Sequence, residues 1–320
     1  MVQQQILRCA ENDNQPVILR AAEDLLFPAW MPIGFRMLWR HATGTISLDR
    51  PRIFGIVNVT PDSFSDGGRL GSLDDARRHI DRLVADGADV IDIGGESTRP
   101  GAEPIGVDEE LRRVLPIIRA AAADHPGVPV SIDTVKARVA AESLAAGASI
   151  INDVSGFRLD PDMPGVCAGA RAGVVLMHSR GDVADMATFA HATYGDDLLG
   201  DILVELRAYA SVASSAGIEH DRVVVDPGIG FSKRGEHSLR VLGGLNRIVE
   251  LGFPVLVGVS RKRFIGEITG AMQPTDRVAG TVGANVAALE RGARLFRVHD
   301  VKPNRDALDV AWAIRRSAAP

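Results

Sequence analysis

Polar side chains recur along this chain at one kind of place, the C-terminal ends of short β-branched runs. IFGIVN (53–58) ends in Asn58, and VIDIG (90–94) contains Asp92. VPVSID (128–133) ends in Asp133, and SIINDV (149–154) holds Asn152 and Asp153. GVVLMH (173–178) ends in Met177 and His178, and RVVVDP (222–227) carries Asp226. PVLVGVS (254–260) leads into Ser260, Arg261 and Lys262, and RLFRVHD (294–300) holds Arg297, His299 and Asp300. Carboxylates and an amide at the bottom of an apolar pocket suit a flat heterocycle with donor and acceptor edges. An ionised Asp accepts from a ring N–H and an exocyclic amine as a pair. Lys262, Arg297 and His299 form a cationic set suited to phosphate, which Arg grips bidentately. One such Asp is as readily a helix cap, and Arg297 taken alone could be a surface ion pair. The convergence of several on one mouth, and the apolar neighbours Phe296 and Val298, favour a site.

The elements that must position these residues follow from the spacing. Eight β-branched runs alternate with amphipathic segments such as LDDARRHIDRLVADGA and DEELRRVLPIIRAAAADH. Several of these segments stop at Gly or Gly-Ala just before the next run, as in DGAD, AGAS and RGAR. Runs that are continuously apolar belong to strands covered on both faces. Eight such units predict an α/β fold, a (β/α)8 TIM barrel, whose site lies at the C-terminal ends of the strands. A doubly wound open sheet is the other arrangement considered, but no glycine-rich phosphate loop follows the first run. The barrel is expected over 45–320, with TISLD as a short strand or hairpin leading into it. Residues 1–44 form an N-terminal extension without an assignable role. Two loops rich in Gly, Ser and Pro, PDSFSDGGR (61–69) and GGESTRPGAEP (94–104), each embed an apolar residue, Phe64 or Pro100. That composition suits lids that close over a ring.

Composition narrows the classes. The 320 residues are 46% hydrophobic and 24% charged, as expected for a large soluble core. A net charge of −5 without a Lys/Arg run gives no reason to expect nucleic acid. Cys9 and Cys167 stand far apart, which argues against a disulfide framework or zinc site and for thiols in a reducing cytoplasm. No apolar stretch is long enough for a membrane span, and MVQQQILRCAENDNQ lacks the features of a signal peptide.

NVTPDSFSDGG and GADVIDIGGESTRPGA resemble the two signature stretches of the dihydropteroate synthases, and SIDT, INDVSG, MHSRG, DPGIGF, SRKRFIG and RVHDV follow in the family's order. The resemblance runs from about Thr45 to the C-terminus. It implies condensation of a dihydropterin-methyl diphosphate with para-aminobenzoate, releasing pyrophosphate, in a cytoplasmic homodimer that sulfonamides inhibit. Asn58 would ligate Mg2+ together with diphosphate oxygens. Asp133, Asn152 and Asp226 would bind the pterin, with Met177 and Phe231 lining its pocket and Lys262 against it. Thr98, Arg99, Ser260, Arg297 and His299 would hold the diphosphate. Phe64, Pro100, Lys262 and Arg263 would meet para-aminobenzoate. The implied mechanism is dissociative, with Asp133, Lys262 and Arg297 as its catalytic groups and no protein nucleophile. Accordingly, no Ser or Cys in the motifs has an evident base partner.

Arg263 stands where many members carry a Ser that contacts the para-aminobenzoate carboxylate; its side chain or only its backbone amide could serve. Two other readings have distinct signatures. A methyltransferase barrel of the pterin-dependent type would share the Asp/Asn floor without needing the SRK and RVH cluster. A non-catalytic pterin-binding paralogue would have lost Asn58, Thr98, Lys262 or Arg297, and all four are present.

Overall fold

A computed structural model describes residues 37–59, 73–97 and 103–317. Strands β1 (Leu38–His41) and β2 (Gly44–Ser47) form an antiparallel hairpin. Its first strand lies within the segment assigned to the extension. The barrel strands are β3 (Arg52–Asn58), β4 (Val90–Gly94), β5 (Val130–Asp133), β6 (Ile150–Asp153), β7 (Gly173–Met177), β8 (Val223–Asp226), β9 (Leu256–Val257) and β10 (Leu295–Val298). All neighbours are parallel, in the order β8-β7-β6-β5-β4-β3-β10-β9. A single parallel bridge, Val225 to Val255, closes the ring, with Val225 N–H donating to the Pro254 carbonyl at 3.0 Å. The eight expected strands therefore form the expected barrel.

Helices cover the outside. The helix α1 (Leu73–Ala85) buries Ala76, Ile80 and Leu83, a spacing that places one stripe against the sheet. Longer covers are α2 (Val107–Asp124), α3 (Ala137–Ala145), α5 (Leu198–Ser215), α9 (Val278–Glu290) and α10 (Val301–Ser317). Shorter ones are α4 (Met163–Gly169), α6 (Gly235–Gly243), α7 (Leu245–Val249) and α8 (Arg263–Thr269). Gly147 ends one of the expected Gly-Ala stops with φ +118, and a Cβ there would lie 2.7 Å from that of Ala122. Only glycine meets both the backbone sign and the close approach.

Strand register decides what faces inward. Phe54 pairs with Val90, Ile150 with Ser131 and Gly173, Val175 with Val224, and Leu256 with Leu295. Phe54, Val90, Ile150, Val175, Val224, Leu256 and Leu295 pack together with Trp39, Ile46 and Leu48 of the hairpin. The hairpin thus plugs the N-terminal end of the barrel, and Trp39 Nε1 donates to the Arg222 carbonyl at 2.9 Å to hold it there. Side chains alternate along a strand, so the next inward positions toward the C-terminal end are fixed. They are Ile56, Asp92, Asp133, Asn152, Met177, Asp226, Gly258 and Arg297. An apolar layer therefore supports a polar layer directly above it.

Candidate active site

The polar layer is held by one guanidinium. Arg297, at an inward position of β10, donates through Nε to Asp92 Oδ2 at 2.6 Å and through Nη2 to Asp133 Oδ2 at 2.7 Å. Asn152 Nδ2 lies 3.3 Å from the same oxygen of Asp92. Asp92 is fully buried, whereas the side chains of Asp133 and Arg297 keep 16% and 22% exposure. The two partners thus remain reachable from the mouth while their anchor is not. Burial opposes the charge on Arg297, but Asp92 and Asp133 more than offset it and hold the guanidinium above its ordinary range. Burial pushes the Asp133 carboxyl up; Arg297 pulls it back, and Asp92 adds to the rise.

Asp226 stands on β8 beside Met177 in register. Its Oδ1 accepts the Gly228 N–H at 2.7 Å, yet burial still pushes its carboxyl up to about 6. Gly258 leaves open the space between: a Cβ there would lie 3.9 Å from both Arg297 Cβ and Asp226 Oδ2. The wall is apolar, with Val135, Val154, Met177 and Met186 packed together and Phe231 against them. Lys262 lies with Nζ 3.9 Å from the centroid of the Phe231 ring. Burial, together with Arg297, pulls its ammonium down to about 8. The arrangement offers a slot with acceptors at its base, an aromatic and aliphatic wall, and cations on one side.

His299 differs from the expectation of a cation. Burial and the Arg297 charge lower its imidazole to about 3, so it is neutral near pH 7. Ser260 Oγ accepts from the His299 backbone N–H at 3.1 Å and lies 2.9 Å from Nδ1. With the hydroxyl assigned as the donor to Nδ1, the imidazole carries its proton on Nε2, a neutral donor beside Arg297. The Arg263 guanidinium stacks over Phe189 at 4.2 Å and reaches Glu267 at 3.4 Å. Asp153 caps the turn that follows β6 and not a helix: its carboxylate accepts from Ser155 N–H and O–H at 2.7 and 2.6 Å and from Phe157 N–H at 3.1 Å.

Asn58 closes β3 in register with Gly94, at the same mouth. Thr98, Arg99, Pro100 and Phe64 lie outside the described residues. The described base of the second loop is tied down: Glu96 Oε1 accepts the Ile105 N–H at 2.8 Å, and Lys136 bridges Glu96 and buried Glu110 at 2.9 and 2.6 Å.

Sequence reading gave no role to Asp92, although a charged residue inside VIDIG was visible; only the register identifies it as inward. It also passed over Lys233, which is 2% exposed.

Comparison with known proteins agrees with this geometry. Residues 54–299 match the family model described as pterin binding enzyme. The dihydropteroate synthase of Bacillus subtilis (strain 168) is 45% identical over 254 residues, 79% of this chain and 85% of that protein. The solved structure of Xanthomonas albilineans dihydropteroate synthase with 4-aminobenzoic acid is 46% identical, has a TM-score of 0.82, and aligns over 89% of this chain and all of that one. The same enzyme in complex with 7,8-dihydropteroate is 43% identical with a TM-score of 0.78, over 88% of this chain and all of that one. By the match to this model and to relatives aligned over most of their own length, the chain belongs to the dihydropteroate synthases.

Proposed function

We propose that this pocket condenses a 7,8-dihydropterin bearing a 6-methyl diphosphate with para-aminobenzoate, by departure of diphosphate before the arylamine attacks. The observation that carries the reading is the polar layer of Asp133, Asn152, Asp226 and Arg297 inside an otherwise apolar barrel. The 4-aminobenzoic acid and 7,8-dihydropteroate named for the Xanthomonas albilineans enzyme are the second substrate and the product of this reaction.

The roles follow from charge. Asp133, Asn152 and Asp226 accept from and donate to the edge of the pterin, while Met177 and Phe231 flank its faces. As the C–O bond to diphosphate breaks, positive charge spreads from the methylene into the ring, and the floor carboxylates offset it. Arg297 and the neutral Nε2–H of His299 receive charge building on the leaving group, with Thr98 and Arg99 as further diphosphate ligands. Lys262 borders both substrates, and Phe64 and Pro100 complete the para-aminobenzoate side. The Arg263 guanidinium is engaged with Phe189, so its backbone N–H is the group left to meet the carboxylate.

A magnesium ion fits this site in a limited way. Among the described residues no cluster of three His, Cys, Asp or Glu could cage a metal, but Asn58 presents one amide oxygen at the mouth. Mg2+ keeps much of its shell as water and substrate oxygens, so one protein ligand suffices. When bound, it would neutralise charge on the diphosphate.

The direct test is pyrophosphate release and dihydropteroate formation by purified protein given both substrates and Mg2+; folded protein making no product would refute the reading. A pH profile probes the assignments. Asp133 and Asp226 must be ionised to accept, and Lys262 charged to attract. We therefore expect kcat/KM to fall below about 7, where Asp133 is the higher of the two carboxyls, and above about 8. Lys262→Arg should move the basic limb beyond the measurable range; an unmoved limb would remove Lys262 from the assignment.

The family supports a cytoplasmic homodimer. Among the described residues no helix is long and apolar enough to cross a membrane. Exposed apolar residues on C-terminal helices, Ile268 on α8 and Val310 and Ile314 on α10, are compatible with a contact between copies.

A further inference from the structure

Lys233 is among the largest fully buried side chains, and it meets Phe231 at the backbone carbonyl and not at the ring assigned to the pterin wall. It follows the turn DPGIGF that carries Asp226 and Phe231. Its Nζ lies 2.8 Å from His178 Nδ1, 3.1 Å from the Phe231 carbonyl and 3.5 Å from the His178 carbonyl. Burial pulls the Lys233 ammonium down to about 7; in its charged form it only donates, so His178 Nδ1 then accepts and carries its proton on Nε2. Nε2 in turn lies 3.1 Å from Glu205 Oε2, off the ideal line for a hydrogen bond. Arg180 holds Glu205 from the other side, with Nε to Oε1 at 3.0 Å. Glu205, neutral His178 and Lys233 thus form a row running from helix α5 to the backbone of the turn.

The turn packs against this row. Gly228 and Gly230 have φ of +67 and +77, and Ser232 takes φ +48 without being glycine. A Cβ on Gly228 would lie 1.9 Å from the His178 carbonyl, so the turn passes directly over that residue. Ser232 is clamped by Met186 and Arg180 backbone groups, and Tyr194 Oη donates to its carbonyl at 2.9 Å. Between Asp226 and Ser232, the Phe231 carbonyl takes the buried ammonium. The His178 backbone N–H also donates to the Asp226 carbonyl at 2.8 Å, so His178 is tied to the start of the turn directly and to Phe231 through Lys233.

We propose that Lys233, through His178 and the Phe231 carbonyl, is a positioning residue that sets the Phe231 ring against Lys262 and so shapes the pterin slot. The inference rests on the reading above that Phe231 walls this slot.

The test uses the full-length enzyme and four variants, Lys233→Met, Lys233→Gln, Phe231→Ala and the double variant Lys233→Met/Phe231→Ala. Lys233→Met is expected to raise KM for the pterin diphosphate about tenfold while kcat stays within about threefold, the pattern of lost positioning in binding. Lys233→Gln, which keeps an N–H donor for the carbonyl, should recover part of that loss. The double variant should be no worse than Phe231→Ala, because a residue acting through another is non-additive with it. Additive losses, or a Lys233→Met KM within twofold of the parent, would overturn the proposal. A Phe231→Ala enzyme with parental kinetics would overturn the wall assignment itself and the proposal with it. Should Lys233→Met fail to fold, His178→Gln is measured instead; a parental KM there rejects the row, and a raised KM with unchanged kcat supports it.

Discussion

Replacing Arg297 by methionine is expected to destabilise the folded protein by about 3–5 kcal/mol and to lower kcat/KM by about 10³-fold. The stability effect comes from what the substitution leaves behind. Asp92 is fully buried and would keep only the long approach of Asn152 at 3.3 Å. A buried carboxylate without its cation must either stay charged in an apolar barrel or take up a proton, and both cost free energy. The pair is not stabilising against an apolar isostere by the same margin, because each charge has given up water. The companion change Asp92→Asn should therefore restore much of the lost stability in Arg297→Met without restoring turnover. Urea unfolding of the two variants checks this. Arg297→Met unfolding at the parental midpoint would show that Asp92 does not need its cation. Arg297→Lys should fall between, since one ammonium cannot donate along the two directions that Nε and Nη2 serve.

Asp133→Asn is expected to reduce kcat by about 10²–10³-fold with the fold intact. The amide keeps the shape but presents one acceptor and one donor where two acceptors stood, and it has no charge to offset a cation forming on the pterin. Stability should not suffer in proportion. The Asp133 carboxyl is pushed up by burial, so its folded value exceeds its unfolded one. Such a group stabilises the fold below the unfolded value and loses that contribution as pH rises through the folded one. At neutral pH the ionised form thus works against folding, and an amide removes that cost while giving up the Arg297 contact. The melting temperature at pH 7 should stay within about 4 °C of the parent. Near-parental turnover in a folded Asp133→Asn protein would refute its place beneath the pterin.

The strands, the barrel and the mouth that gathers the polar residues could be read from the sequence because each leaves a local trace. Continuous apolar runs of strand length, Gly stops such as Gly147 and polar residues at run ends are all properties of a few consecutive positions. The family motifs supplied roles in the same way, residue by residue. What the tertiary structure alone decided is which neighbours those residues have. A strand buried on both faces carries no alternation, so the inward parity that makes Asp92 part of the floor and Asp153 a turn cap rests on register. Arg297 meets partners 205 and 164 residues away, a distance over which no spacing rule operates. His299 loses its charge, and the Lys233 ammonium under the Phe231 turn is pulled down to about 7, through desolvation and neighbouring charges that exist only once the barrel has closed. The chain's order of residues set where chemistry could gather, and packing set which groups are charged, paired and aimed.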